Sequence, residues 1–476
     1  MSASISRAEF LREYGQALRE GEAAAFVGAG LSRGAGFVDW KGLLQEFADD
    51  LHLDLEIEHD LTLVAQYHLN REPARSRERL HAKLVEEFSR DVALSSAHEA
   101  LAKLPLDVVW TSNYDSLVEE AFRTFGRRVR VKKSSKSFVE AGAKAETTVF
   151  KLHGDLTDPN TLVITRDDYR NYVRRYPGFR DRLRSDLSER TFLFLGFSFT
   201  DPHLDLVLNE LRLSFEEDQR QHFVVMRKEP MGRRGTKRYG YARNRQELKI
   251  EDLSTFGIRT LLVDEFEEVA LLLRDLDRQV RRTRVFVSGA ADEFDPRGRA
   301  WLDDVAASLG RRLIAGGYDI ISGFGKGLGP QLLSGALEQL YTDGVSSIDR
   351  RLILKPFPYG SGRRDLVTKY REDLLATAGF VVFLAGNKTS ADGEIVMSDG
   401  VEEEFRLAVA NGAVPLPIGN TGWMAEQLWL QVKGDWNHYM APGTKKRDFN
   451  ILNRPAATVS DVLDALERLI AANRKS

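Results

Sequence analysis

Unbroken apolar runs alternate along the chain with segments whose apolar positions recur every three or four residues. The first pattern belongs to strands buried on both faces and the second to amphipathic helices. AAAFVGAG (23–30) predicts a short buried strand that runs into a glycine turn. Residues 41–105 carry many charges and few strand signals, which predicts a mostly helical insertion. LDVVWTS (106–112), TTVFKLHG (147–154) and TFLFLGFSF (191–199) predict further strands, followed by HFVVM (222–226) and IRTLLV (258–263). SLVEEAF (116–122) places Leu117, Val118, Ala121 and Phe122 on one helical stripe. EFEEVALLLRDLDRQVRRTR (265–284) predicts a closing helix and linker, after which the strand signal restarts. RVFVSGA (284–290), YDIISGFG (318–325), RRLILKPF (350–357), AGFVVFLAG (378–386) and AVPLPIG (413–419) supply a second set.

Strands separated by helices imply parallel sheets covered on both faces. The expected fold class is therefore α/β, with two parallel-sheet Rossmann-like domains, the first with a helical insertion. Residues 1–283 and 284–476 are the expected domains. A chain of 476 residues is too long for one ordinary core, which agrees with two.

Composition narrows the function. Hydrophobic content of 42% with 29% charged residues describes a globular chain. A net charge of −3 gives no general support for nucleic-acid binding. The basic stretch RKEPMGRRGTKRYGYARNRQ (227–246) reads as an exposed loop, broken by aromatic and glycine residues. No apolar run approaches the roughly 18 residues of a membrane span. The first residues lack the apolar core of a secretion signal, so a cytoplasmic location is expected. There is no cysteine, so disulfides and thiolate zinc sites are excluded.

Parallel sheets bind ligands at the carboxyl ends of their strands. Four polar or glycine-rich strand ends fall in the first domain: Gly28-Ala29-Gly30-Leu31-Ser32, Ser112-Asn113-Tyr114-Asp115, His153-Gly154-Asp155 and Gly196-Phe197-Ser198. Each is weak evidence alone, since glycine turns and helix-capping polar residues are common. In one parallel sheet all four meet at one edge. A glycine turn opening a helix offers backbone N–H groups to a phosphate. Asp201 and His203 have the types of a metal pair, but Asp201-Pro202 reads better as a helix cap with proline in the first turn. No metal is expected.

Taken together, GAGLS, SNYD and HG resemble the nucleotide loop, the T-Q-N-I-D motif and the catalytic histidine of the sirtuin family. GFSFTDPHL stands where that family has its G-T-S loop, and the resemblance covers roughly residues 20–265. Sirtuin deacylases carry four zinc-binding cysteines and a GIPDFR segment. This chain has no cysteine, and Gly36-Phe37-Val38-Asp39-Trp40 occupies the latter place. The resemblance thus implies NAD+ as substrate more than it implies an acyl-lysine cleft.

Simple NAD+ cleavage suits these residues. Nicotinamide leaves as a neutral molecule from a cationic ring, so no acid is needed, and the ribose gains oxocarbenium character as in glycoside hydrolysis. Imidazole is suited to accept a proton near neutral pH. His153 and Asn113 are the expected catalytic residues, His153 accepting a proton from water or a ribose hydroxyl and Asn113 holding the ribose and nucleophile. Asp115 would hydrogen-bond the nicotinamide amide, Ala29, Gly30 and Ser32 would meet the pyrophosphate, and Gly196 with Ser198 would meet the adenosine side.

The second domain has its own glycine-rich strand ends, at Ser288-Gly289 and at Gly323 to Gly325, which would let the backbone approach a phosphate. Arg371 and Lys388 would neutralise phosphates, with Asn387 beside them, although ordinary surface ion pairs would explain each cation equally well. Asp399 and Glu402 fit a capping box, whereas Glu403, about 100° further round the helix, is free to accept from ribose hydroxyls. This domain resembles the SLOG family, related to the LOG nucleotide hydrolases. Their P-G-G-x-G-T-x-x-E motif is replaced here by Ala385–Lys388 and Asp399–Glu404, which implies a sensor without catalysis.

A sirtuin-like domain fused to a SLOG domain in a cysteine-free chain resembles the Thoeris anti-phage NADase effector family. The resemblance implies a bacterial enzyme activated by a cyclic ADP-ribose isomer. It also implies a partner enzyme with a TIR domain that makes that signal, and a homotetramer capable of higher-order assembly. Three alternatives stay open: an NAD-dependent protein deacylase, a non-catalytic sensor of ADP-ribose-type nucleotides, and a nucleic-acid-guided effector using the 227–245 stretch.

Overall fold

The computed structural model describes residues 3–90, 92–140, 145–199, 201–215, 218–229, 237–345, 348–356 and 364–474. They form two compact units, Met1–Asp277 and Arg278–Ser476, and the division falls inside the helix Glu268–Arg281.

In the first unit β1 (Ala23–Val27), β2 (Val108–Thr111), β3 (Val129–Lys132), β4 (Thr147–Lys151), β5 (Thr191–Leu195), β6 (His222–Arg227) and β7 (Ile258–Val263) form a sheet of order β3-β4-β2-β1-β5-β6-β7. Every pairing is parallel. β1 is wholly buried, as a central strand between two helix layers requires. Phe26, Trp110, Phe150, Phe194 and Val224 share one face with Tyr172, Phe179, Leu183 and Leu208 from the covering helices. Phe223 meets Phe10 and Tyr14 of the helix Arg7–Glu20 instead. The order reverses at β1, whose neighbours β2 and β5 are reached in opposite directions, so the crevice between β1 and β5 is a topological switch point.

The register fixes which loops meet there. Val27 pairs with Thr111 and with Leu195, and Thr111 pairs with Lys151. Four strand ends therefore stand in one row, and the loops after them begin at the same level. The insertion consists chiefly of the helices Trp40–Asp50, Leu61–Arg71, Glu78–Phe88 and Ser96–Lys103. Its Leu43, Leu44, Phe47, Leu80 and Leu84 cluster with Tyr114, Leu162 and Ile164, so it packs directly on the loop after β2.

The second unit holds β8 (Arg284–Ala290), β9 (Asp319–Ser322), β10 (Leu352–Leu354), β11 (Phe380–Ala385), a hairpin of β12 (Asn387–Thr389) and β13 (Ile395–Met397), and β14 (Val414–Pro417). Its sheet has the order β10-β9-β8-β11-β14 and is also parallel throughout. The switch point lies between β8 and β11, where Gly289 pairs with Leu384 and Ala290 with Ala385.

Sequence pattern and structure part company at several places. VRVK (β3) alternates polar with apolar positions and β12 and β13 are three residues each, too short to stand out as strands, and all three are mostly half-buried or exposed. Of the basic stretch expected to be a loop, Arg227 ends β6, Lys228 and Glu229 are irregular, residues 230–236 lie outside the described residues, and residues 237–246 belong to the helix Lys237–Ser254. Good helix formers such as Ala242, Gln246, Glu247 and Leu248 outweigh the one glycine of that helix, Gly240. TFLFLGFSF stops being a strand at Leu195, because Gly196 turns the backbone to φ +61°.

Candidate active site

One cleft of about 1820 Å³ opens at the carboxyl edge of the first sheet. Its lining includes Ala29, Gly30, Ser32, Asn113 and Asp115, and equally His153, Gly196 and Ser198. All eight residues expected from the sequence thus meet around one space. The helical insertion contributes Trp40, Leu61 and Phe88 to its wall.

Asn113 holds two loops together. Its side-chain N–H groups donate to the Gly28 carbonyl at 3.2 Å and to Ser32 Oγ at 2.8 Å. Its Oδ1 is buried and has no hydrogen-bond partner among the described residues. A buried acceptor left unmade costs about 1–3 kcal/mol, so this oxygen is poised for a donor that the described residues do not supply. Asp115 is buried and accepts from the Leu117 N–H at 3.1 Å, capping the helix that follows. Capping and site-building thus fall to the same polar joint.

The glycines act through close approach. A Cβ on Gly30 would stand 2.8 Å from Gly196 Cα, and one on Gly28 2.5 Å from Gly196 O. The Gly30 N–H donates to Gly196 O at 2.9 Å. That amide is committed to the neighbouring loop in this structure, which alters the expected phosphate contact: Gly30 lets the loops after β1 and β5 touch. Ser198 receives Lys249 Nζ on its carbonyl at 2.7 Å.

Below the loops lies Lys151, fully buried at the end of β4. Its Nζ reaches Asp155 Oδ2 at 2.6 Å, Glu119 Oε1 at 2.9 Å, and the carbonyls of Tyr114 and Asp115 at 3.1 and 2.6 Å. One cation thus ties the Asn113 loop to the His153 loop. Burial pushes Lys151 down, but the Glu119 and Asp155 carboxylates outweigh it and leave its pKa raised. Asp155 moves the other way, to about 2: burial raises it and Lys151 overcomes that.

His153 is buried, with Nε2 2.7 Å from Asp201 Oδ2 and 3.4 Å from the Tyr169 hydroxyl. The other oxygen of Asp201, Oδ1, accepts from the His203 and Leu204 N–H groups at 2.9 and 3.0 Å, so it caps the helix Pro202–Phe215 as its sequence suggests. Burial raises the Asp201 carboxyl, but His153 and the capping amides outweigh it and hold it below the usual range. His203 stacks on Tyr169 and Tyr172 with centroids 5.2 and 4.1 Å away, and burial lowers its pKa to about 4. Among the described residues no group of three or more histidines and carboxylates is arranged to hold a metal. Sequence reasoning missed Lys151, Glu119 and Tyr169. A lysine inside the apolar run TTVFKLHG was the one signal available.

The second unit gathers its expected residues at the β8–β11 edge, with several corrections. Ser288 Oγ donates to Glu404 Oε2 at 2.6 Å, Glu404 Oε1 faces Arg371 Nε at 3.3 Å, and Arg371 pairs with Glu403. Glu403 is thus held by a cation and by the Thr368 hydroxyl at 2.6 Å, not left free. Lys388 pairs with Asp399. Asp399 and Glu402 do not make the expected capping box, because Ser398 occupies the cap and Asp399 bonds its neighbour Gly400 and Lys388. Asn387 is fully buried: its Oδ1 accepts from the Asp292 and Glu293 N–H groups, both at 2.9 Å, and its Nδ2 donates to the Glu293 carbonyl at 2.8 Å. Its amide fastens the loop at Asp292–Glu293. A Cβ on Gly325 would stand 1.8 Å from Gly289 O, so these glycines let two strand ends touch. Gly323, buried between Ser322 and Phe324, follows β9 directly.

Comparison with known proteins agrees with this architecture. Residues 107–251 match the SIR2-like domain family and residues 268–473 the Sir2- and TIR-associating SLOG family. Fold and sequence together define a two-domain α/β protein of SIR2-like and SLOG type. The chain is 35% identical over 462 residues to the NAD(+) hydrolase ThsA of Bacillus cereus (strain MSX-D12), covering 96% of each chain. For the NAD(+) hydrolase ThsA of Acinetobacter baumannii (strain 532279) the identity is 36% over 467 residues, covering 94% of this chain and 96% of that one. For that of Cytobacillus dafuensis it is 34% over 482 residues, covering 98% and 96%. The chain belongs to the ThsA family of NAD(+) hydrolases.

Proposed function

We propose that the first unit hydrolyses NAD+ to nicotinamide and ADP-ribose, and that the second holds this activity in check until it binds a cyclic ADP-ribose isomer. The observation that carries the reading is the row of strand ends Val27, Thr111, Lys151 and Leu195, which opens four loops into one dinucleotide-sized cleft. Asn113 Oδ1 accepts a ribose hydroxyl, the donor it lacks in the folded chain. His153 accepts the proton of water or of that hydroxyl as the neutral nicotinamide departs, and such help is worth about 10²–10⁴-fold. Asp115 meets the nicotinamide amide, and the loops at Ala29, Ser32, Gly196 and Ser198 meet the pyrophosphate and adenosine. No step in this scheme needs a metal.

In the second unit the signal's phosphates compete with Glu403 and Asp399 for Arg371 and Lys388, with the strand ends at Ser288, Gly289, Gly323 and Gly325 beside them as the expected phosphate contacts. A ligand acts only through its differential affinity for two states, and moving a population from 1:99 to 99:1 takes about 5.5 kcal/mol. The signal comes from an enzyme with a TIR domain, and the protein works in the bacterial cytoplasm as a homotetramer with higher-order assembly. Its outcome is NAD+ depletion during phage infection.

The test is to mix the full-length protein with NAD+, alone and with each cyclic ADP-ribose isomer, and to follow free nicotinamide. Release that depends on one isomer and needs no acetyl-lysine peptide is expected. Release only with the peptide would identify a deacylase, and no release under any condition a sensor without chemistry.

A further inference from the structure

Asp201 Oδ2 is buried and stands 2.7 Å from His153 Nε2, with no other hydrogen-bonding partner among the described residues. Its sister oxygen is spent on two backbone amides of the helix Pro202–Phe215. A buried carboxylate oxygen with one neighbour must be stabilised by that neighbour. We propose that Asp201 is the positioning residue of His153: its carboxylate accepts a hydrogen bond from Nε2–H and so leaves Nδ1 as the nitrogen that accepts a proton in NAD+ cleavage. The proposal rests on the NADase reading above and adds which nitrogen works and what holds it.

The surroundings support this direction of proton placement. His153 Nδ1 is itself buried and without a partner among the described residues, as an acceptor awaiting substrate or water would be. The Tyr169 hydroxyl stands further from Nε2, at 3.4 Å, and leaves Asp201 the nearer partner. The other groups around the pair are Tyr114, Tyr172 and His203. Burial holds the Tyr114, Tyr169 and Tyr172 hydroxyls well above their usual range, and burial holds His203 down at about 4. All four are neutral at neutral pH, while Asp168 and Arg77 act on the tyrosines from further out, so among the described residues the Asp201 carboxylate is the charge in contact with His153. When one imidazole nitrogen is tied to a carboxylate, the tautomer and ring orientation are fixed and the other nitrogen becomes the working base.

Asp201→Asn separates this role from capping, because asparagine caps a helix as well as aspartate does. In the full chain labelled with 15N-histidine, long-range 1H–15N correlations at neutral pH should show His153 protonated on Nε2 and bare on Nδ1. Asp201→Asn should abolish that preference. In the nicotinamide assay Asp201→Asn should lose about 10²–10⁴-fold in kcat with little change in KM, and the acidic limb of its pH profile should move to lower pH. The same fold should persist by circular dichroism. Asp201→Glu, which keeps the charge, should recover part of the rate. A His153 protonated on Nδ1 in the wild type would overturn the proposal. So would an Asp201→Asn variant that turns over faster, which would make the carboxylate a brake. The tautomer is read without turnover, so a failure of the NADase reading would show separately as absent nicotinamide.

Discussion

Asn113 Nδ2 lies 2.8 Å from Ser32 Oγ, and this contact joins the loop after β2 to the loop after β1 across 81 residues of chain. The amide is oriented by the bond, so its free oxygen has a fixed position before any substrate arrives. Replacing Asn113 by Asp removes the donors to Ser32 and to the Gly28 carbonyl and sets a carboxylate against that carbonyl. The variant should lose about 1–3 kcal/mol in urea unfolding and release no nicotinamide from NAD+.

Lys151 should behave as a buried structural cation. Lys151→Met leaves Glu119 and Asp155 facing each other's buried charge with nothing between them. A loss of about 3–5 kcal/mol is expected, read as a fall in Tm. An unchanged Tm would mean that Lys151 does not hold the two loops.

His222 should make the first unit sensitive to mild acid. It is fully buried, accepts the Phe192 N–H on Nδ1 at 3.1 Å, and burial lowers its pKa to about 3. The unfolded chain takes up this proton below the ordinary histidine pKa of about 6.5, and the folded chain does not until about 3. Stability from this group is therefore complete above about 6.5 and falls as the pH drops towards 3. Between pH 7 and 5 the wild type should lose about 2 kcal/mol more than His222→Asn, which keeps the acceptor and cannot titrate. Urea titrations at the two pH values check this.

Gly325→Ala should damage the second unit, because the new Cβ would stand 1.8 Å from Gly289 O. A loss of about 1–3 kcal/mol is expected, together with weaker binding of the cyclic isomer by calorimetry. Gly434→Ala, where nothing lies within 4 Å, should stay within about 0.5 kcal/mol of wild type and serve as the control.

Much of the frame was legible because buried parallel strands are written as apolar runs. AAAFV, VVWT, TFLFL and FVVFLA all became strands, and the polar or glycine-rich residues after three of them line the cleft. What escaped is what depends on partners distant in sequence. VRVK is an outer strand whose half-buried residues show no apolar run. Lys151 reads as a break in a strand until Glu119 and Asp155 are brought to it. Asp201 is legible as a cap from its proline, but its second oxygen meets a histidine 48 positions earlier in the chain. Asn387 has the chemistry of a ligand contact, and only the fold reveals that its amide bonds the loop at Asp292–Glu293 three times.

The most direct measurement is a structure of the His153→Ala variant soaked with NAD+. The account predicts one dinucleotide in the cleft of the first unit, its nicotinamide ribose within about 3 Å of Asn113 Oδ1. NAD+ bound elsewhere, or a cleft that stays empty at saturating NAD+ while the protein is folded, would contradict it.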